Sequence, residues 1–205
     1  MTRRANRAAR TLVLLPALLT TTLALAAGLF APATADTAVV PDGTGDVWWY
    51  GEGPQGPQWV QVEDREQEDV TAVRVDHRDR RLVITTEVVD LPAADESPGA
   101  GPEHVVDRAR GRDLYVDVDI TGNQSSVAVG AVEGRYRCGD DDVRLGVDRE
   151  TDVVTVTLGR ACLKAQRWVR VTSTMSSITG RHPYVDAVGN DGHDDGETTR
   201  RLRAG

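Results

Sequence analysis

Residues 113–120, with the sequence DLYVDVDI, alternate polar and apolar side chains without a break. Their apolar positions are Leu114, Val116, Val118 and Ile120. Because successive side chains of a β-strand point to opposite faces of a sheet, this period of two predicts a strand with one buried and one acidic face. Half-buried strands of this kind are typical of antiparallel sheets that face water on one side.

Short segments rich in β-branched and apolar residues continue on both sides of this strand. They lie at 69–76, 82–89, 127–132, 136–138, 143–147, 153–158 and 168–175. Turns containing Gly, Asn and Asp separate them, and no apolar pattern of helical period intervenes. The chain is therefore predicted to be all-β, an antiparallel, jelly-roll-like β-sandwich of about eight strands.

Two stretches do not fit the strand pattern. Residues 51–58 are rich in Gly, Pro and Gln, and residues 90–112 contain prolines and glycines throughout their first half. Loops longer than about 15 residues are usually functional or disordered. We expect a single domain over residues 36–205, with a flexible loop at about 90–112 and a mobile C-terminal tail.

Residues 1–35 have the parts of a secretory signal peptide in their usual order. A head containing four arginines precedes an apolar run at 12–30, and a small-x-small site at 33–35 follows. A retained membrane anchor is the alternative interpretation, because the run is long enough to cross a bilayer. Proline and threonine residues interrupt the run, however. The sequence predicts cleavage between Ala35 and Asp36 and a secreted, extracellular protein that is not bound to a membrane.

The charge balance narrows the classes of partner. The 205 residues include 32 acidic and 24 basic ones, for a formal net charge of -8. Because residues 1–35 contain four arginines and no acidic residue, their removal leaves 170 residues with a net charge of -12. This acidity argues against a nucleic-acid partner, since neutralising phosphates requires a basic face. We expect the mature protein to be a monomer.

The two cysteines, Cys138 and Cys162, lie in the part of the chain predicted to be exported. An even number of cysteines in an oxidising compartment predicts a disulfide bond. A redox or metal-binding thiolate pair is the alternative, but the sequence has no CxxC spacing to support it.

The sequence contains no common hydrolase or nucleotide-binding motif. GxSxG, HExxH and Walker motifs are absent, and the GxGxxG match at 51–56 contains Pro54 and precedes no helix-forming segment. Two carboxylates suffice for a glycosidase, but nothing in the sequence selects a pair. We predict a protein that is not an enzyme.

Acidic and amide residues cluster in the loops before and after the predicted strands. They are Asp42, Asp46, Asp186, Asn190, Asp191, Asp194 and Asp195. Calcium takes about six to eight oxygen ligands, which closely spaced Asp and Asn side chains and backbone carbonyls supply. The alternative is that these residues form solvated turns of an acidic protein. They are the candidate metal ligands, and calcium is the candidate cofactor.

Half of the eight aromatic residues that follow the predicted signal peptide lie close together in sequence. They are Trp48, Trp49, Tyr50 and Trp59. Exposed Trp and Tyr rings stack on the apolar face of sugar rings. Because neighbouring side chains of a strand point in opposite directions, at least one of Trp48 and Trp49 points away from the core. The four residues are candidate ligand-binding residues; the alternative is that they cover an edge of the sandwich.

The order of these features resembles that of small, uncharacterised secreted actinobacterial β-sandwich proteins. The resemblance rests on the Asp-Gly-x-Gly-Asp opening at 42–46 before the tryptophans, the paired segments at 69–76 and 82–91, and the strand at 114–119. The chain is also similar to family 9 carbohydrate-binding modules and to dopamine-monooxygenase N-terminal-like sandwiches. The first similarity implies calcium and sugar stacking between tryptophans. Cytochrome-type members of the second group use Met and His as haem ligands; Met175 and His77 lie on predicted strands, but the sequence does not support their pairing, and haem is not expected here.

These observations favour a secreted, non-catalytic module that binds an extracellular glycan or another cell-surface component. One alternative is an interaction or inhibitor protein that contacts a protein partner through the loop at 90–112. A carboxylate-dependent hydrolase is the least favoured alternative.

Overall fold

Strands make up most of the computed structural model. It describes residues 35–53, 55–62, 65–91, 100–132, 138–164, 166–179, 182–190, 192–193 and 196–205. The strands in these ranges are β1 (Asp36–Pro41), β2 (Val47–Gly53), β3 (Gly56–Val62), β4 (Val70–Arg78), β5 (Arg81–Val88), β6 (Ala100–Arg108), β7 (Leu114–Thr121), β8 (Gln124–Ala131), β9 (Val143–Asp148), β10 (Val153–Gly159), β11 (Trp168–Thr179), β12 (His182–Ala187) and β13 (Leu202–Arg203). The described residues also form one short helix, α1 (Arg160–Leu163), and a 3₁₀ turn at Asp140–Asp142. The all-β prediction is confirmed, with more strands than expected.

The strands form two antiparallel sheets. A five-stranded sheet has the order β1-β4-β5-β10-β9, and an eight-stranded sheet has the order β3-β2-β12-β11-β6-β7-β8, with β13 also paired to β11. Neighbouring strands run antiparallel in both sheets. Apolar side chains from both sheets pack into one core. The prediction of an antiparallel β-sandwich is confirmed.

Strand β7 has the alternating burial that its sequence predicts. Its four apolar side chains are at most 2% exposed, while Asp117 and Asp119 between them are exposed. Fully burying a Val, Leu or Ile side chain stabilises a fold by about 1.5–3 kcal/mol. Because β7 lies between β6 and β8, its pattern determines which face of the eight-stranded sheet packs against the core.

The prediction of a loop at 90–112 is wrong over Ala100–Arg108, which form the interior strand β6. Gly101 lies so close to β7 that a Cβ there would come within 1.8 Å of the Val118 carbonyl oxygen. The β6–β7 pairing has no partner residue at Gly101 or Pro102, so the missing N–H of proline is tolerated at this interruption. Residues 92–99 lie outside the described residues.

The prediction of a loop at 51–58 is also wrong. Residues 51–53 end β2 and residues 56–58 begin β3, and the two strands pair as a hairpin from Val47↔Val62 to Gly53↔Gly56. The Gly, Pro and Gln residues that suggested a long loop therefore belong to the closed end of a hairpin.

The prediction of a mobile C-terminal tail is wrong for residues 196–203. Leu202 is fully buried, and β13 pairs with β11. Thr199 is bonded twice to Val171: its N–H donates to the Val171 carbonyl, and its Oγ1 accepts the Val171 N–H, both at 2.9 Å. The end of the chain thus contributes to the sheet and to the core.

The predicted disulfide is confirmed: Cys138 is bonded to Cys162. Cys162 belongs to α1 and is buried in the core. A strand was predicted at 136–138, but Cys138 is not in a strand, and residues 136–137 lie outside the described residues.

The signal peptide stays a prediction, because residues 1–34 lie outside the described residues. Asp36, the residue after the predicted cleavage site, is the first residue of β1. The described part of the chain has no helix with the length and apolarity required to cross a membrane.

Candidate functional site

Three of the predicted metal ligands meet between the two sheets. Asp42 and Asp46 lie in the loop that passes from β1, in the five-stranded sheet, to β2, in the eight-stranded sheet. Asp186 lies near the end of β12 and shares the core face with Met175, its partner on β11. Each of the three side chains offers a carboxylate oxygen, and these oxygens lie within 4.8 Å of one another.

Asp69 flanks this cluster and was not predicted as a site residue. It precedes β4 in the five-stranded sheet and is 3% exposed. The sequence pattern assigned it to the polar end of a strand, since nothing in the alternation distinguishes a buried carboxylate from an exposed one. We refer to Asp42, Asp46, Asp69 and Asp186 as the acidic cluster.

Backbone N–H groups hold one oxygen of three carboxylates in the acidic cluster. Asp186 Oδ2 accepts the Val70 N–H at 2.7 Å, Asp69 Oδ2 accepts the Gly45 N–H at 2.8 Å, and Asp42 Oδ1 accepts the Gly189 N–H at 2.7 Å. Gly45 and Gly189 have φ of 81° and 75°, in the left-handed region that favours glycine. The local turns therefore orient these carboxylates.

The second oxygens of three of these carboxylates are buried and unsatisfied. Within the described part of the chain, Asp42 Oδ2, Asp69 Oδ1 and Asp186 Oδ1 accept no hydrogen bond. A buried polar atom without a partner costs about 1–3 kcal/mol, and more when it is charged. An arrangement with several such oxygens is expected only where another species binds them or where the carboxylates are protonated.

Burial and mutual repulsion make the acidic cluster difficult to ionise. Burial, reinforced by the charges of Asp42, Asp46 and Asp69, raises the pKa of Asp186 to about 8, although the Val70 hydrogen bond opposes the shift. Burial likewise raises the pKa of Asp42 to about 6, with added repulsion from Asp46 and Asp69. The pKa of Asp69 is raised by burial and by the charge of Asp46.

An open depression of about 480 Å³ lies beside the acidic cluster. Thr44, Gly45, Glu66, Asp69 and Val89 line it. It gives solvent a route to the edge of the cluster that includes Asp69.

The remaining predicted metal ligands do not add to this geometry. Asn190 is exposed, and its side-chain oxygen accepts the Gly192 N–H at 3.2 Å, which closes a local turn. Asp191, Asp194 and Asp195 lie outside the described residues.

Three of the four predicted ligand-binding aromatics share the outer face of the eight-stranded sheet. Trp48 pairs with Val185, which points away from the core. Trp49 pairs with Tyr184, which lies two residues before the core-facing Asp186 and therefore on the same face as it. Tyr50 lies opposite Trp59 on the same outer face as Trp48, with the two ring centroids 5.4 Å apart. Tyr50 is 42% exposed, and Trp48 and Trp59 are half-buried.

His193 joins these rings, a role that the sequence did not indicate. Its ring stacks on Trp59 with 4.9 Å between centroids and an interplanar angle of 22°, and its centroid is 5.3 Å from that of Trp48. We call Trp48, Tyr50, Trp59 and His193 the aromatic platform. Because His193 follows the acidic stretch after β12, only the fold brings it to the tryptophans.

Trp49 belongs to the opposite face and is not part of the aromatic platform. Its ring covers the backbone of Gly51, where a Cβ would come within 1.8 Å of a Trp49 ring atom. Tyr184, its partner on β12, has the Arg65 guanidinium 4.1 Å above its ring. Trp49 therefore packs within the molecule, as the alternative interpretation of the tryptophans expected.

A polar group adjoins the aromatic platform on the same outer face. Ser176 lies opposite Val185, which in turn lies opposite Trp48. The Ser176 hydroxyl donates to Glu103 Oε1 at 2.9 Å, and the Tyr115 hydroxyl donates to Glu103 Oε2. The outer face thus presents aromatic rings followed by a carboxylate and two hydroxyls.

Comparison of the chain with models of protein families, with curated proteins and with solved structures finds no match.

Proposed function

We propose that this chain is a secreted, non-catalytic module that binds an extracellular glycan through the outer face of its eight-stranded sheet. The observation that carries the proposal is the aromatic platform, in which Trp48, Tyr50 and Trp59 share one face with His193. Rings on the outer face of a sheet suit a sugar, because the apolar C–H face of a pyranose stacks on an aromatic ring.

The polar group beside the platform supports a glycan over a purely apolar ligand. Sugar hydroxyls both donate and accept hydrogen bonds, so they need carboxylate and hydroxyl partners next to the stacking surface. The next three strands after β12 supply these partners: Ser176 on β11, Glu103 on β6 and Tyr115 on β7. A glycan that stacks on Trp59 and extends across β12 would reach them.

The rival function, a protein-binding loop at 90–112, has less support. Residues 100–108 of that stretch form an interior strand with neighbours on both sides. They offer no continuous loop to a protein partner.

The proposal is tested by affinity electrophoresis of the secreted protein in gels containing soluble polysaccharides of defined composition. Trp59→Ala removes the ring that contacts both Tyr50 and His193. We expect it to weaken binding about two- to tenfold, because an aromatic stacking contact contributes about 0.5–1.5 kcal/mol beyond the area that it buries.

Trp168→Ala is the matched control. Trp168 begins β11 and packs against Arg201, whose guanidinium is 4.7 Å from the ring centroid, away from the Ser176 end of the strand. The control should bind glycan like the wild type. Equal loss in both variants, or no retardation by any polysaccharide, would contradict the proposal, and release of shorter sugars would show that the protein is an enzyme.

A further inference from the structure

We propose that Asp42, Asp46 and Asp186 bind one hard divalent cation, calcium, between the two sheets, with Asp69 flanking the ion. This site is distinct from the proposed glycan-binding face. Asp186 lies on the core face of β12, whereas Val185, beside Trp48, lies on the outer face.

The spacing of the three carboxylates fits a single ion. Calcium binds oxygen at about 2.3–2.6 Å, so two ligands of one calcium ion lie at most about 5 Å apart. The oxygens offered by Asp42, Asp46 and Asp186 all lie within 4.8 Å of one another. One ion placed among them reaches all three.

Buried oxygens without partners provide independent support. Asp186 is 0% exposed, and its Oδ1 accepts no hydrogen bond from the described residues. Asp42 Oδ2 and Asp69 Oδ1 are also buried atoms that accept no hydrogen bond from the described residues. Within the described part of the chain, no Arg or Lys forms an ion pair with Asp42, Asp69 or Asp186. A bound cation supplies the positive charge that these oxygens lack.

The chemistry of the ligands selects the class of ion. All three are carboxylates, which suit hard cations, whereas zinc prefers nitrogen and sulfur ligands. Magnesium requires a nearly ideal octahedron, while calcium accepts irregular sets of about six to eight oxygens. The depression lined by Thr44, Gly45 and Asp69 gives water access to complete the coordination, and Asp69 can act through such a water.

Binding of the ion would join three segments of the sandwich. The β1–β2 loop provides Asp42 and Asp46, β12 provides Asp186, and the segment before β4 provides Asp69. The first two ligands lie in a connection between the sheets, so the ion would fasten the five-stranded sheet to the eight-stranded sheet. We therefore expect calcium to stabilise the whole fold.

Isothermal titration calorimetry on the secreted, chelator-treated protein tests the site directly. We expect one calcium per chain, with a dissociation constant between about 10⁻⁶ and about 10⁻³ M, and a melting temperature that rises with calcium concentration. No heat and no shift in melting temperature up to about 10 mM calcium would overturn the proposal. Tighter binding of magnesium than of calcium would overturn the choice of ion.

Asp186→Asn and Asp42→Asn distinguish a lost ligand from a damaged fold. Asparagine keeps an oxygen that can accept the Val70 or Gly189 N–H but removes a charge. In chelator, each variant should be at least as stable as the wild type, because repulsion inside the cluster is reduced. In calcium, each should lose at least tenfold in affinity. A calcium response equal to that of the wild type in both variants would contradict the assignment.

Asp119→Asn is the control, because Asp119 is an exposed aspartate on β7. It should bind calcium like the wild type. Trp59→Ala should also keep the full calcium response, so failure of the glycan proposal and failure of the calcium proposal are separate results.

Discussion

Neighbouring tryptophans at the start of β2 have different roles because a strand presents successive side chains to opposite faces. The sequence predicts that Trp48 and Trp49 diverge, but not which of them faces the core. In the structure Trp49 shares the core face with the buried Val47, and its ring occupies the space where a Cβ of Gly51 would lie. A ring that covers a glycine two residues later is visible only in the structure.

The acidic cluster shows how much of a site local sequence can predict. The sequence predicts Asp42 and Asp46 because they flank glycines in a short loop, and Asp186 because it begins an acidic stretch. Asp69 was missed because its environment depends on a contact with Gly45, 24 residues away in sequence. His193 was missed for the same reason, since its ring partners Trp48 and Trp59 are far from it in sequence.

His104 should make the protein less stable in mild acid. Its Nδ1 lies 2.8 Å from Ser173 Oγ, and burial lowers its pKa to about 4 from a usual value of 6.5. The folded protein therefore binds this proton less readily than the unfolded chain does. Above pH 6.5 His104 is neutral in both states and does not lower the free energy of unfolding. As the pH falls from 6.5 toward 4, the unfolded chain takes up the proton first, and the free energy of unfolding decreases by about 3 kcal/mol.

Urea unfolding of wild type and His104→Gln between pH 7 and pH 4 measures this contribution. Subtracting the two profiles removes the effects of the other titrating groups, including His77, whose pKa burial also lowers. The variant should lose less stability on acidification than the wild type. Parallel profiles would show that His104 is not the responsible group.

Strand β6 shows why composition misleads at the level of an element. Gly and Pro usually mark loops, and residues 90–112 contain both. In the sandwich, however, Gly101 permits a close approach to β7, and Pro102 lies where the β6–β7 pairing is interrupted. Burial alternates along β6, with His104, Val106 and Arg108 all buried. Because two of these three residues are polar, the sequence shows no apolar alternation that would predict a strand.

The C-terminal segment is an element of the core, so its truncation should be costly. Leu202 is fully buried, and its carbonyl oxygen lies 2.9 Å from His77 Nδ1 on β4, in the other sheet. Leu202→Ala should lower the free energy of unfolding by about 2–5 kcal/mol. Val132→Ala, at a side chain that is 56% exposed, should change it by less than about 0.5 kcal/mol. Chemical denaturation of both variants checks the difference, and equal stabilities would favour the mobile tail that the sequence suggested.

At the scale of the whole molecule, the class of fold was predictable and its connectivity was not. Strand alternation in β4, β5, β7, β10 and β11 reports burial directly. The order of strands within each sheet depends on pairings such as β6 with β11, which join residues more than 60 positions apart. No local pattern encodes those pairings, and the acidic cluster and the aromatic platform both depend on them.

The excess of acidic residues should make stability rise with ionic strength. The chain from residue 36 onward carries a net charge of -12, and long-range repulsion among like charges disfavours the compact state. Exposed ion pairs such as Arg74–Asp76 and Arg160–Asp79 oppose this trend only weakly, because surface pairs contribute little. Raising sodium chloride from about 20 to about 300 mM, with chelator present, should increase the free energy of unfolding by roughly 0.5–1 kcal/mol. The increase should disappear near the isoelectric point, where the net charge vanishes. A decrease at neutral pH would instead mean that local ion pairs outweigh the net charge.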